Sequence, residues 1–600
     1  MIQNPILSGF HPDPSIVRVG EDYYLATSTF VWQPGIRIFH SRDLATWTLV
    51  GHGLAPGVHD FRGMIAYHGV WAPCLTYAER EGLFYLVYSV MKSTGAEYFD
   101  VDNYLVTAAD VRGPWSEPVY LSSIGFDPSF FHDADGRHWL VTLEWETRHG
   151  HEHPGAIVLE EYLPQRKALR EGTIRISRGS SDRGCLEAPH LYRRDGWYYL
   201  MTAEGGTGFG HGAFLARSAT IEGPYAASPL GPVLTSNPSP HFGRNVRDHL
   251  RPELANPGAD LQKAGHGCLV DTPGGQWFVA HLCARPVGDP PRSILGRESA
   301  IQEVEWTDDG WLRMVGGGPV ARGRTGGIRG MTYADRPPEE FRDDFDGPDL
   351  DPRLASVRRP VEASWVSRSA RPGWLTLTGG DMLTSRYDVA LLATPLTSLD
   401  AIAETRMAFS PSHFSQSAGL VVLYDEANFA YLRRCADEGL GADTLGIVVV
   451  EAGVAREFPL DRAVLGGVNA GEADLRAVLS GGRLRFEWRP SDGPSAEGAP
   501  GPEGAMGSEG ALDPGGATDA RDAQWRAIGP ELDIAFMSDE ATRGFTGTVV
   551  GIACVDRYRR TATASFDYLR VRPQPTTCPQ PTTGPQATTD TVPSAATSTS

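Results

Sequence analysis

GCLEAPHLYRRDGWYYLMTAEGG, residues 184–206, sets one carboxylate, Glu187, just ahead of a strand, a turn and a second strand. Leu, Tyr and Trp favour a pleated, half-buried surface, so LYRR, the turn residues Asp195 and Gly196, and WYYLMTA read as a β-hairpin. The same unit recurs as HPDPSIVRVGEDYYLATS from His11, VWAPCLTYAEREGLFYLVYS from Val70, FDPSFFHDADGRHWLVTLEW from Phe126 and GHGCLVDTPGGQWFVAHLCA from Gly265. Aligned on Leu25, Leu86, Leu140, Leu200 and Val279, the residues 12 to 15 positions upstream are Asp13, Trp71, Asp127, Glu187 and His266. Five copies of one unit therefore put five chemically active side chains at one equivalent position.

Repeats of one small antiparallel sheet pack radially into a propeller whose innermost strands line a central channel. A residue opening the innermost strand of every blade points at the axis, so three carboxylates, a Trp and a His are expected to converge there. A lone Asp-Pro is usually turn punctuation, and Asp13 or Asp127 taken singly reads that way. Three acids in register across repeats do not.

A chain of 600 residues exceeds what one core usually supports, so two or more domains are expected. Hydrophobic residues at 41% and aromatics at 10% suffice for globular cores. A net charge of -20, with pI near 5.3, disfavours nucleic acid and anionic membranes as partners and suits a neutral substrate. The N-terminus has no basic segment followed by an apolar run, and no stretch reaches the length of a membrane span, so a cytoplasmic location is expected. The seven cysteines are scattered, several inside apolar strand patterns, and read as buried thiols; no zinc-ligand spacing appears. Cys185 lies two residues from Glu187, but no neighbouring His in the sequence could activate it as a nucleophile.

The repeats occupy residues 1–335, with Gly-, Pro- and His-rich loops at 95–102 and 236–257 placed to shape a channel rim. DRPPEE, 335–340, marks a boundary, because Pro cannot donate to a sheet ladder. Residues 341–573 hold short strands with turn signals, among them IAETRMAF, SAGLVVLYD, FAYLRRC, LGIVVVEAG and ASFDYLRVRP, and read as an antiparallel sandwich. Residues 491–524 shift to Gly, Pro, Ala, Ser and Glu and are expected to be a disordered insertion, and 574–600 a disordered tail.

Carboxylates facing one channel with aromatics nearby, such as Trp32 and Trp71, suit hydrolysis of a glycosidic bond. One acid protonates the leaving oxygen, a carboxylate attacks or deprotonates water, and aromatic faces hold sugar rings. NPILSGFHPDPSIVRVGEDYYLATSTFVWQPGIRIFHSRDL, GVWAPCLTY, GFDPSFFHDADGRHWL, LEAPHLY, GHGCLVDTPGGQWFVAHLCARP and LGRESAIQ resemble glycoside hydrolase family 43, especially its two-domain β-xylosidases and α-L-arabinofuranosidases. RDDFDGPDLDP, SAGLVVLYDEANFAYL and ELDIAFMSDE extend the resemblance into the second domain.

The resemblance implies an all-β protein, a five-bladed β-propeller followed by a concanavalin-like antiparallel β-sandwich. It implies an inverting exo-glycosidase removing terminal β-1,4-xylosyl residues from xylo-oligosaccharides, with α-L-arabinofuranosidase activity as the alternative. Asp13 matches the general base, Asp127 the acid that orients and tunes, and Glu187 the general acid. Phe30, Trp71, His266, Arg297 and Phe545 match substrate-binding residues, Phe545 in the second-domain stretch RGFTGTVVG that reaches the mouth of the site. No cofactor is required, although a divalent ion such as calcium near His266 is allowed, as is a homo-oligomer. Inversion asks that acid and base stand roughly 6.5 to 9.5 Å apart, leaving room for a water. Two other readings remain: a non-catalytic sugar-binding propeller, and a retaining fructosyl hydrolase, against which Pro12-Asp13-Pro14-Ser15 stands where Asn-Asp-Pro-Asn-Gly would be expected.

Overall fold

The computed structural model describes residues 1–151, 155–239, 250–336, 339–464, 471–491 and 525–575. The expected insertion, beyond Ser491, and the tail, beyond residue 575, lie outside the described residues. The Arg194–Trp197 hairpin closes through Asp195 and Gly196, at φ 49 and 82, the mirror-image two-residue turn whose twist matches that of the strands it joins.

Each repeat becomes a sheet of four or five antiparallel strands, led by Ser15–Val19, Gly69–Ala78, Ser129–His132, Glu187–Arg194 and Gln262–Asp271. These five leading strands touch one another in order, and Gln262–Asp271 returns to touch Ser15–Val19, which closes a five-bladed ring. The two ends of the propeller reinforce the closure: Ile2–Gln3 pairs with Arg324–Thr325, and the Asn4 side chain donates to the Ile301 carbonyl at 2.7 Å while accepting from the Ile301 amide at 2.9 Å. Asp100–Ala108 is the third strand of the second blade, so the loop expected over 95–102 ends earlier than the sequence suggested.

Two eight-stranded antiparallel sheets follow, enclosing a core that includes Leu392, Leu420, Leu432, Leu475, Phe486, Ile552 and Phe566. Glu472–Ser480, reading EADLRAVLS, is a central strand between Ala401–Ala408 and Arg483–Pro490 that the sequence did not suggest. Its Ala, Leu and Glu are good helix formers, and pairing on both edges overrides that preference. The one α-helix among the described residues is Asp539–Thr542, with Ser538 accepting from the Ala541 amide.

Propeller and sandwich share a core. Phe10, Phe30 and Val70 of the propeller pack in one cluster with Val357, Leu391, Val421 and Ala553 of the sandwich. Trp32 and Gln33 add a short edge strand to a sandwich sheet, opposite Val357 and Ser356. Trp32, at 3% exposure, is therefore interdomain core and not the sugar platform expected of it. Gly296 shows how close the approach is. It stands at φ 79, and a Cβ there would lie 2.3 Å from the Thr546 carbonyl oxygen.

Candidate active site

The equivalent positions share a backbone kink as well as a register. Asp13, Asp127 and His266 take left-handed φ values of 56, 54 and 50, and in the second and fourth blades the kink falls one residue later, at Ala72 and Ala188. A left-handed conformation costs a non-glycine residue roughly 1 kcal/mol, so a repeated one is held by its surroundings. Pairing slips beside it in three blades, between Trp71 and Cys74, Glu187 and His190, and Gly265 and Cys268. Such bulges re-aim side chains away from the ladder.

Asp13 is 5% exposed. Its Oδ2 accepts from Ser28 Oγ at 2.6 Å and its Oδ1 from Arg297 Nη1 at 3.0 Å, with His266 Nδ1 3.8 Å away. Burial alone would raise its pKa, but Arg297, His266 and Ser28 together outweigh burial and hold it below the ordinary carboxylate value. Asp13 is thus an ionised carboxylate with a fixed orientation. Ser28 also accepts from the Ala72 amide at 2.7 Å, tying the first blade to the second at this point.

Glu187 and Asp127 behave oppositely. Burial raises both, and each is pushed further by its neighbours' charge, Glu187 by Asp13 to about 8 and Asp127 by Glu187 and Asp13. Asp127 Oδ2 accepts from the Ala188 amide at 3.0 Å, which favours charge on Asp127 and fixes the residue next to Glu187. Glu187 Oε1 is buried with no hydrogen-bond donor among the described residues. Both carboxyls of this interacting pair are therefore held toward the protonated form near neutral pH, Glu187 among them. One carboxylate held ionised and one carboxyl held protonated lie within electrostatic reach of each other, the pairing that acid and base catalysis of hydrolysis requires.

Arg297 rests between two rings, its guanidinium carbon 5.5 Å from the Phe30 centroid and 5.8 Å from that of Phe545, and Nη2 donates to the Phe545 carbonyl at 3.3 Å. Phe30 is the buried floor under Arg297, packed edge-on to Phe10. Trp71 is half-buried; its Nε1 donates to the Tyr67 carbonyl at 2.8 Å and its ring meets the edge of Phe126. Phe545 is half-buried at the seam between the domains, edge-on to Tyr67, and outside the sandwich core. His266 is held near 4, first by burial, and is neutral.

Burial lifts the Cys185 thiol to about 12, so it is protonated and not a nucleophile. Among the described residues no group of three or more His, Cys, Asp or Glu side chains could hold a metal. Beside His266 the available carboxylate is Asp13, already engaged by Arg297. Ser28 and His211 escaped the sequence reading, since a Ser in ATSTF and a His in FGHG carry no distinguishing pattern.

A family model described as "Glycosyl hydrolases family 43" matches residues 2–312, and one described as "Beta xylosidase C-terminal Concanavalin A-like domain" matches 342–504 and 517–572. The chain is 39% identical over 593 residues to "Xylosidase/arabinosidase 43B" of Humicola insolens, covering 95% of this chain and 98% of that protein. It is 35% identical over 596 residues to "Beta-xylosidase" of Bacillus subtilis, covering 95% and 99%. Among solved structures, a xylan beta-1,4-xylosidase from Bacillus halodurans C-125 superposes with a TM-score of 0.83 at 40% identity, covering 95% of this chain and 100% of that one.

Proposed function

We propose, from the premise that this chain belongs to glycosyl hydrolase family 43, that it is an exo-acting β-1,4-xylosidase working with inversion on short xylo-oligosaccharides. The observation that carries the reading is the unequal state of two buried carboxyls, Asp13 held ionised by Arg297 and Ser28 while Glu187 keeps its proton. Asp13 deprotonates the attacking water, the water oxygen bonds to the anomeric carbon, and the glycosidic oxygen leaves with the proton of Glu187. Asp127 keeps that proton on Glu187 and orients it through the Ala188 amide. Arg297 and His266 offer polar contacts to sugar hydroxyls beside the base, and Trp71 offers an aromatic face.

Phe545, edge-on to Tyr67 and against Arg297, is placed by the second domain to wall the mouth of the site, which suits removal of single terminal residues. The name of the Humicola insolens relative favours a second activity, on α-L-arabinofuranosides. Aryl β-xyloside and aryl α-L-arabinofuranoside assayed in parallel, with the anomer of the released sugar followed by NMR, test both. Inverted xylose as the faster product supports the proposal. A first product of retained configuration removes Asp13 from the role of base, and no hydrolysis of either glycoside sinks the reading.

A further inference from the structure

A histidine outside the repeat register faces the acid. His211, fully buried, brings Nε2 to 3.4 Å from Glu187 Oε1, and neither atom has a hydrogen-bond partner among the described residues. Its other nitrogen, Nδ1, lies 3.2 Å from the Lys263 carbonyl oxygen. A nitrogen opposite a carbonyl must carry the proton, so Nδ1 is the N–H and Nε2 presents a lone pair to Glu187. A lone pair accepts from a protonated carboxyl and repels an ionised one, which stabilises the acid form of Glu187.

The ring has no freedom to turn away. A Cβ on Gly265 would lie 2.4 Å from His211 Cγ, so the imidazole lies directly against that glycine backbone. Lys263, which supplies the carbonyl, is itself pinned from the second domain. Its Nζ donates to Asp539 at 3.0 Å and Glu540 at 2.6 Å, all three side chains being buried. Glu540 accepts in turn from the Ser293 amide and hydroxyl at 2.7 and 2.8 Å, and Asp539 from the Tyr424 hydroxyl at 2.7 Å. The contacts run without interruption from the helix Asp539–Thr542, through Lys263 and His211, to the acid.

We propose that His211 is a positioning residue that holds the proton on Glu187, and that the sandwich fixes its tautomer through Lys263. This rests on the assignment of Glu187 as general acid above. Other charged or titratable groups that act on Glu187 or on His211 are Asp13, Asp127, Arg297, Arg183, Cys185, His266 and His281. Each of these stays in place in the variants used, so a change in the acid's titration reports on His211.

The test measures kcat/KM against pH for the full-length chain on xylobiose and on 4-nitrophenyl β-xyloside. His211→Phe keeps the ring but removes the acceptor, and the basic limb on xylobiose should move about one pH unit lower, a loss of about tenfold at pH 8, with a smaller loss on the aryl substrate. His211→Gln, which keeps an acceptor, should restore most of the limb. Glu540→Gln should move it in the same direction by less. An unmoved basic limb in His211→Phe, or equal losses on both substrates, overturns the proposal. Should His211→Phe not fold, Gly265→Ala displaces the ring and gives the same reading: a lowered limb supports the proposal and an unmoved one overturns it. A wild-type enzyme active on both substrates but with an unmoved limb in the variants refutes this proposal alone, whereas a wild-type chain inactive on both refutes the function it rests on.

Discussion

Glu187→Gln separates catalysis from stability at one buried site. Lifting a carboxyl from 4.5 to about 8 means that its ionised form is disfavoured in the folded protein by roughly 5 kcal/mol. Because the folded value lies above the unfolded one, the contribution of Glu187 to stability is full below pH 4.5 and is lost as pH rises toward 8. Glutamine does not titrate. The variant should therefore be nearly equal to wild type in stability near pH 5 and more stable at pH 9, by about 2 to 5 kcal/mol, the lower figure allowing for the charge shared with Asp127.

Thermal unfolding by differential scanning fluorimetry from pH 5 to 9 reads this as a gap in midpoint that opens with pH, a few degrees at the top of the range. Xylobiose hydrolysis should fall about 10²- to 10⁴-fold in the same variant, and hydrolysis of an activated aryl xyloside much less, because a good leaving group needs little protonation. A pH-independent stability difference, or equal losses on both substrates, would show that Glu187 is not the protonated group.

Asp13→Asn should reduce turnover of activated and unactivated substrates alike by about 10²-fold or more, since water needs its base whatever leaves; steady-state rates on both decide this. Arg297→Leu removes the strongest group lowering the Asp13 pKa, so the acid limb of kcat/KM should shift to higher pH, and an unchanged limb would sever Arg297 from the base. Phe545→Ala should raise KM for xylobiose with little change in unfolding temperature, given its half-buried place at the seam. A loss of about 3 to 5 kcal/mol with unchanged KM would make it a core residue instead. Gly296→Ala drives a Cβ against the Thr546 carbonyl at a left-handed φ, and should lower unfolding temperature and activity together by parting the two domains at Arg297.

The five-fold repeat was legible because a hairpin announces itself locally, through alternation, aromatic pairs and turn residues such as Asp195-Gly196, and because copies can be aligned without knowing where they lie. That alignment alone named Asp13, Asp127 and Glu187 and implied an axis, which the ring closure of Ser15–Val19 on Gln262–Asp271 supplies. Protonation was another matter. Three acids at equivalent positions are chemically alike in the sequence, and what separates them is which donors the fold brings within 3 Å: Arg297 and Ser28 to Asp13, the Ala188 amide to Asp127, none among the described residues to Glu187 Oε1. Trp32 failed as a sugar platform for the same reason, since nothing near it in the chain shows that Val357 will cover it. His211, Lys263 and Glu540 were invisible, His211 meeting Lys263 across 52 residues of the propeller and Lys263 meeting Glu540 only when the sandwich docks. Local pattern is set by neighbours in sequence, whereas pKa and burial are set by charge and water exclusion in three dimensions, which only the closed ring of blades and the docked sandwich supply.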